Sequence, residues 1–389
     1  MAAVAPTRGD LAVEHALANV AENFRFVLDL TPGNVEEQRK AFLRGEITQP
    51  VFTYRELEDA PAVLLAELQA IDLSGVEDSA LRSLLMAKHR EVALQIEMLQ
   101  ARGSADFPRL SQELYGPIST DLVRDATAIL DGVPVPENES GARVQAAHFA
   151  ELAEFELTHY RKLEPDLRVH VDIRPDVAGV MVSGSVLFIS ATTRIRPSRV
   201  EALLQHEVGT HLLTYANGRF QSIAMMASGL AGYEETQEGL AVLAELLVGG
   251  LSGFRLRQLA ARVVAVRRML DGDSFAGVYD TLVHQGFSPQ SAFTTTMRVF
   301  RSGGLTKDAI YLRGFLRVLE HLRRGGDLDP LWMGKLSLEQ VPVVMELRER
   351  GVLTQPRLLP RFMDFPATAE RLAMASSITG VAELIGAIR

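Results

Sequence analysis

The sequence predicts a mostly helical α+β protein with one small antiparallel sheet, placed before a central pair of helices. Apolar residues recur at three- and four-residue spacing from Asp10 to about Leu130, which is the period of amphipathic helices. Apolar and polar residues alternate only between Leu167 and Ser190, which is the period of strands. Helical spacing returns from Leu251 to Arg389. Helices should therefore flank the sheet on both sides.

The first third of the chain is predicted to be a helical region without a functional motif. Its end is marked by Asp131 to Gly141 (DGVPVPENESG), a run rich in Pro, Gly and acidic residues that is typical of a linker. A chain of 389 residues has room for more than one domain. We therefore predict a helical N-terminal region over residues 1–135 and a second domain over residues 136–389, which holds the sheet and the central helices and ends in a helical part.

Three strands and the helix before them are predicted from the change of period. The helix covers Ala142 to Leu163, and the strands cover Leu167 to Ile173, Val177 to Val182 and Ser185 to Ser190. Ser183-Gly184 between the last two strands is a short turn signal, which favours a hairpin.

Composition and charge narrow the classes of function. The absence of cysteine excludes disulfides, thiolate zinc sites and cysteine nucleophiles, so any metal must be held by His and carboxylates. The net charge of −9 argues against general nucleic-acid binding. The apolar stretch from Gly239 to Phe254 contains Glu245 and is too short to span a bilayer. With no secretory signal evident at the N-terminus, we expect a cytoplasmic protein without nucleic-acid or membrane partners.

The central helix carries the sequence HEVGTH, His206 to His211. We predict that this helix starts at Pro197, runs through Thr214 and is closed by Asn217-Gly218. Two histidines five positions apart lie about 140° apart on a regular α-helix, too far round to share one metal ion. A π-bulge would bring positions five apart together. We therefore predict a bulge centred on Val208 to Thr210, with Gly209 in the distorted turn.

A third metal ligand should come from the next helix, predicted from Tyr233 to Val248. Glu238 lies where this helix enters the core, and a carboxylate there must pair, protonate or bind metal. Glu245 lies seven residues later on the same face. Glu245 either orients a metal ligand or is simply a paired buried acid, and we favour the second interpretation. The acids Glu234 and Glu235 at the helix start are expected to be solvated.

The pairing of HEVGTH with QEGLA, about thirty residues later, resembles the bacterial flavohemoglobin expression-modulating QEGLA-motif proteins. Their eukaryotic relatives are the microtubule-associated tyrosine carboxypeptidases. The segment Phe300 to Asp308 (FRSGGLTKD) also looks like the family's Arg-Gly-Gly…Thr-Lys-Asp segment. The resemblance implies a zincin-like metallopeptidase core. It also implies that Zn²⁺ is held by His206, His211 and Glu238, with Glu207 as the catalytic carboxylate.

The expected activity is zinc-dependent removal of a C-terminal residue, such as tyrosine or another aromatic residue, from a peptide or protein. Glu207 would act as general base toward a zinc-bound water. The substrate's terminal carboxylate needs a cation, and the candidates are Arg298, Arg301, Lys307 and Arg313, all in the segment after the metal helices. Tyr311 is a candidate donor to the developing oxyanion.

Other interpretations stay open on the sequence alone. The strand from Val186 to Ile189 could pair with an extended substrate or could be internal to the sheet. His159 and His170 are expected to be structural. The relatives act on tubulin, whose tails are acidic, so the acidic charge of this chain makes tubulin a doubtful partner. The alternatives to a peptidase are a non-catalytic regulatory or binding protein with a structural or vestigial metal site, and a hydrolase of non-peptide amides.

Overall fold

The computed structural model describes residues 6–23, 26–57, 60–135, 141–177 and 179–388. The N-terminal helices are α1 (Arg8–Asn23), α2 (Phe26–Asp29), α3 (Val35–Leu43), α4 (Pro61–Gln69), α5 (Ser79–Gln100), α6 (Phe107–Tyr115) and α7 (Thr120–Gly132). The middle of the chain holds β1 (Val144–Gln145), α8 (Ala146–Leu163), β2 (His170–Arg174), β3 (Val180–Ser183), β4 (Val186–Ser190) and β5 (Arg194–Ile195).

The central helices are α9 (Pro197–His206), a π-helix (Glu207–Leu212), α10 (Leu213–Arg219), α11 (Met225–Ser228) and α12 (Tyr233–Leu247). The C-terminal helices are α13 (Gly253–Leu270), α14 (Phe275–His284), α15 (Pro289–Phe300), α16 (Ile310–Arg323), α17 (Val341–Glu349), α18 (Thr368–Ser377) and α19 (Val381–Ile388). Short 3₁₀ turns cover Arg301–Gly303, Lys307–Ala309, Asp329–Trp332, Leu338–Gln340 and Arg361–Asp364. The mostly helical α+β class is therefore confirmed.

Side-chain caps and prolines explain where several of these helices begin. Asp78 accepts a hydrogen bond from the Leu81 backbone N–H at 2.9 Å and so caps α5. Ser119 caps α7 in the same way, at 3.2 Å. Pro197 occupies the first turn of α9, where its missing N–H costs nothing.

The sheet is mixed, and the prediction of an antiparallel sheet was wrong for one of its two pairings. The strand order is β2-β4-β3, with β3 and β4 forming the expected antiparallel hairpin and β2 running parallel to β4. The hairpin turns back so that β4 inserts between its neighbours, an order that alternation along one strand does not encode. The segment Val186 to Ile189 is therefore internal, with both edges paired.

Two predicted helix boundaries were also wrong. Val144 and Gln145 pair with β5 before α8 begins, so that helix starts later than Ala142. The central helix continues to Arg219, because the buried Asn217 side chain donates to the carbonyls of Trp332 and Leu358 and does not end the helix.

The N-terminal helices share one hydrophobic core with the central and C-terminal helices. Leu17 of α1, Val92 of α5 and Ile129 of α7 lie in the same buried cluster as Leu243 of α12 and Phe315 of α16. The predicted linker begins inside α7, and its residues 136–140 lie outside the described residues. The domain division at residue 135 stays a prediction. Among the described residues, no helix is both long enough and apolar enough to cross a membrane.

Candidate metal and peptide site

The predicted bulge in the central helix is confirmed as a π-helix over Glu207–Leu212. It brings the imidazoles of His206 and His211 to a ring-centroid separation of 5.0 Å. The Thr210 hydroxyl donates to the carbonyl of Gln205, five residues earlier, at 2.9 Å. This hydrogen bond helps to satisfy a backbone acceptor in a part of the helix where the regular hydrogen-bond pattern is changed.

Gly209 lies in a tightly packed part of the π-helix. A Cβ atom there would lie 2.3 Å from Oε1 of Gln205, at the end of a flexible side chain, and 3.2 Å from the ring of Phe362. The prediction placed Gly209 in the bulge for its backbone freedom, and the structure adds that a larger residue there would displace the Gln205 side chain.

The QEGLA segment on α12 positions Glu238 through close packing on both of its sides. Gln237 accepts a hydrogen bond from the Thr214 hydroxyl at 2.8 Å, which ties α12 to α10. Gly239 lies against Gly314 of α16, and a Cβ on Gly239 would be 2.3 Å from the Gly314 carbonyl carbon and oxygen. The two glycines thus let α12 and α16 approach at backbone distance, with Glu238 held between α10 and α16.

The three predicted ligand residues come together in the structure. Nε2 of His206 lies 3.7 Å and Nε2 of His211 lies 3.6 Å from Oε2 of Glu238. All three donor atoms fall within 4.8 Å of one another. Zinc bonds of about 2.1 Å in tetrahedral geometry would separate ligand atoms by about 3.4 Å. Oε2 of Glu238 is buried and accepts no hydrogen bond within the described residues, so the site fits a divalent cation.

Burial and neighbouring charges give the site unusual acidities. Burial raises the pKa of Glu207, although the two histidines oppose the change. Glu238 is also buried, yet His211 and His206 outweigh burial and hold its pKa well below the usual range. Burial alone would lower the pKa of His211, but Glu238 raises it. Glu207 thus has an environment typical of a general base, beside a carboxylate that stays ionised.

Glu245 contacts a predicted metal ligand, so the interpretation that we favoured for it was incomplete. Its Oε1 lies 2.9 Å from Nδ1 of His206. Since a carboxylate only accepts, Nδ1 carries the proton and Nε2 offers its lone pair to the metal position. Arg199 and Arg255 contact the same carboxylate at 2.7 and 3.0 Å. Glu245 is therefore both a paired buried acid and the group that orients His206.

Three of the four candidate cations for a substrate carboxylate are held by acids of the chain. Arg298 forms a bidentate pair with Asp308, and Lys307 lies 2.5 Å from Glu234. Arg313 pairs with Glu235 and also donates to the carbonyl of Tyr115. Contrary to expectation, Glu234 and Glu235 are ion-paired and only partly exposed.

Arg301 is the candidate cation without an acidic partner in the described residues. It is 5% exposed, its Nη1 donates to the Thr31 hydroxyl at 3.2 Å, and its Nε is buried without a hydrogen bond. The next residue, Ser302, has φ of 59° and is held by hydrogen bonds to Tyr54 and Leu30. N-terminal residues thus over-determine a strained turn, which is common where a loop positions a functional side chain.

Arg262, which the sequence analysis missed, lies 4.6 Å above the ring of Tyr311. It has no acid within ion-pair distance in the described residues, and burial lowers its pKa to about 10. Tyr311 is itself buried, and its pKa is raised by burial and by the charge of Glu238. Arg262 lies in an arginine-rich amphipathic helix and carries no local signal that distinguishes it from a surface residue.

Lys335 is a second residue that the sequence analysis missed. Its Nζ lies 5.4 Å from the ring of Tyr215 and 5.7 Å from that of Tyr233, with no acid at ion-pair distance in the described residues. Burial lowers its pKa to about 8, against the opposing charge of Glu234. Lys335 is close enough to His211 to affect the pKa of that imidazole. Lysine is rare in this sequence, and Lys335 is one of only five, so composition was an available signal for this residue.

The remaining histidine predictions concern residues outside this group. His170 is exposed on β2, and the ring of His159 lies edge-on to Tyr160 at 5.4 Å. Neither belongs to the metal-binding group.

A family of known proteins matches this chain over a range that includes the candidate site residues. A family model described as microtubule-associated tyrosine carboxypeptidase matches residues 40–380. Microtubule-associated tyrosine carboxypeptidase 1 from Mus musculus is 32% identical over 184 residues, which cover 44% of this chain and 38% of the mouse protein. The Homo sapiens protein of the same name is 30% identical over 184 residues, covering 44% of this chain and 37% of its own. The match thus spans well under half the length of these curated relatives.

A solved structure gives a weaker likeness. A crystal structure described as a lipoprotein from Colwellia psychrerythraea aligns with 82% of this chain and 73% of its own, at 13% identity and a TM-score of 0.45. A likeness of that size carries no argument about this chain.

Proposed function

This chain belongs to the microtubule-associated tyrosine carboxypeptidase family, and we propose that it is a zinc-dependent carboxypeptidase that removes a C-terminal tyrosine. The observation that carries the proposal is the group of His206, His211 and Glu238 around one point, with the buried Glu207 beside it. The zincin-like core implied by the resemblance is part of the same proposal.

His206 and His211 would bind zinc through Nε2, and Glu238 through Oε2. Bound zinc would polarise a water molecule and lower its pKa toward neutrality. Glu207 follows the first ligand directly in sequence, and its raised pKa suits it to accept a proton and return it to the leaving amine. Its carboxylate accepts no hydrogen bond in the described part of the chain, so it is available for that transfer.

Arg301 and Arg262 are the proposed partners of the substrate's terminal carboxylate. Among the described residues neither guanidinium group has an acid at ion-pair distance, and the charge of Asp308, which Arg298 already neutralises, acts on both. Arg298 and Lys307 would then shape this pocket as paired residues. This moves the proposed carboxylate contact from the segment that carries Arg298, Arg301, Lys307 and Arg313 to Arg301 of that segment and Arg262 of α13.

The expectation that tubulin is a doubtful partner is not supported, because the family and its relatives are named for microtubules and tyrosine. Net charge was the wrong quantity for that argument. Within the part of the chain that the structure describes, Arg262, Arg301 and Lys335 have no acid at ion-pair distance, and the local charge governs whether an acidic tail can bind. We therefore include an acidic C-terminal peptide ending in tyrosine among the proposed substrates.

An extended substrate would add to the sheet at β3 and not at β4. In the described part of the chain β3 is an edge strand, and it contacts the π-helix. Main-chain pairing along that edge would place a peptide beside the metal position.

The test compares wild type with Glu207→Gln. We expect about one zinc per chain in both proteins by mass spectrometry, and release of tyrosine from an acidic C-terminal peptide by wild type only. The matched control is Glu201→Gln, an exposed acid of the same helix that bonds only to Gln205, and it should keep activity.

Three results would overturn the proposal. Turnover by Glu207→Gln would remove the role given to that carboxylate. Wild type that binds no zinc when zinc is offered would exclude the mechanism. Wild type that binds zinc but releases no residue would favour a regulatory protein, unless acyl-amino acids are hydrolysed, which would identify a non-peptide amide hydrolase.

A further inference from the structure

A cavity is lined by Arg199 and Arg255, the two arginines that contact Glu245. Its volume is about 520 Å³. The walls come from β5, the starts of α9 and α13, and the last helix, α19. Four of the described residues that line it are arginines, and none is an acid: Arg194, Arg196, Arg199 and Arg255.

Two of the arginines that line the cavity are mostly buried and are held in place by contacts within the fold. Arg199 and Arg255 are 20% and 13% exposed, and the two share the single charge of Glu245. Arg194 bonds only to a backbone carbonyl in the described residues, that of Thr193. The first turn of α13 also lines the cavity, and there the Ser252 hydroxyl accepts from the backbone N–H of Arg255 at 3.3 Å.

The lining of the cavity also includes several apolar side chains. Ile195 is buried in β5, the ring of Phe254 packs under the guanidinium of Arg196 at 5.3 Å, and Ile385 and Ile388 come from α19. A fully hydrated ion such as phosphate would leave these side chains uncovered. The lining therefore fits an organic anion with a short apolar body.

We infer that this cavity binds an amphipathic organic anion, such as a medium-chain carboxylate, whose head contacts Arg194, Arg199 and Arg255. Since Arg199 and Arg255 also contact Glu245, the bound anion would share their charge with the carboxylate that orients His206. Glu245 would then accept more strongly from Nδ1 of His206, and the metal position would become more negative. The anion and zinc would strengthen each other's binding by the same factor.

The first experiment is calorimetric titration of the full chain with sodium octanoate, with inorganic phosphate and octyltrimethylammonium as comparison probes. We expect octanoate to bind at one site, and Arg194→Glu to weaken it at least about tenfold by reversing one charge at the head position. Ile388→Ser should weaken octanoate binding through the loss of an apolar lining side chain. Arg168→Glu is the matched control, because Arg168 is 80% exposed and lies outside the cavity, and it should leave binding unchanged.

The second experiment measures zinc affinity by competition with a chromophoric chelator, with and without octanoate. We expect octanoate to lower the zinc dissociation constant about fivefold in wild type and by a smaller factor in Arg194→Glu. This arm rests on the proposed zinc site, whereas the first arm does not.

The inference is overturned if octanoate fails to bind, or if Arg168→Glu weakens it as much as Arg194→Glu. Phosphate binding as tightly as octanoate would contradict the apolar part of the site. Octanoate binding with no change in zinc affinity would contradict the link to His206.

Discussion

Replacing Glu245 by Gln tests whether the carboxylate behind His206 tunes the metal site. In the structure Nδ1 of His206 lies 2.9 Å from Oε1 of Glu245. Glutamine keeps an oxygen that can accept this hydrogen bond but removes the negative charge of the carboxylate. Loss of such an orienting partner lowers metal affinity about 10- to 100-fold, or about 1.4–2.7 kcal/mol. We expect the lower end for Glu245→Gln and the upper end for Glu245→Ala, which also removes the hydrogen bond.

The same substitution should destabilise the fold. Arg199 and Arg255 would lose their common partner while only 20% and 13% exposed. Breaking a buried pair costs about 3–5 kcal/mol, and the residual exposure of these arginines reduces that to about 2–4 kcal/mol. Urea denaturation of the metal-free protein measures this cost separately from zinc affinity.

Glu156→Gln is the matched control for both measurements. Glu156 is equally buried and pairs with Arg361 at 2.6 Å, but it touches no predicted metal ligand. It should lose stability and keep its zinc affinity. A zinc dissociation constant for Glu245→Gln within twofold of wild type, by chelator competition, would refute the orienting role.

Three further predictions concern packing and charge around the site. Gly239→Ala sets a Cβ 2.3 Å from the Gly314 backbone and should sharply lower the urea concentration at the midpoint of unfolding. The control Gly380→Ala, whose Cβ would have no neighbour within 4 Å, should not lower it. Equal midpoints for the two variants would contradict the close contact between α12 and α16. Thr210→Val should lower the free energy of unfolding in urea by about 1–3 kcal/mol and weaken zinc binding, because the buried carbonyl of Gln205 loses the hydroxyl donor. An unchanged free energy of unfolding together with unchanged zinc affinity would refute the role of Thr210 in the π-helix. Lys335 has a pKa of about 8, so it is charged below that pH and neutral above it. The KM of wild type for an acidic peptide should therefore rise above pH 8. The same rise in a Lys335→Met variant would exclude this lysine as the cause.

Much of the geometry of the candidate metal site could be predicted from the sequence, because the information there is local. Two histidines five positions apart lie about 140° apart on a regular helix. The two histidines of HEVGTH can therefore bind one metal ion only if the helix contains a π-helical turn. The structure has that π-helix at Glu207–Leu212. The absence of cysteine likewise restricted the candidate ligands to histidines and carboxylates, and Glu238 stood out as an acid at the edge of an apolar run.

The charged groups around the site could not be assigned from sequence, because their partners are distant along the chain. Lys307 pairs with Glu234, 73 residues away, and that pairing removes it as an obvious carboxylate binder. Arg262 and Lys335 became candidates only because no acid of the described residues lies at ion-pair distance from them, which no local sequence pattern records. The direction of β2 had the same origin, since alternation fixes which face is buried but not which strand lies beside it.

The sequence by itself thus determined the helix geometry and the kinds of atom available to a metal, both of which follow from backbone period and side-chain chemistry. Tertiary structure decided which charges are neutralised and which remain available. A charge in a protein interior is defined by everything packed around it, and for Glu245 that means His206 and two arginines from separate helices.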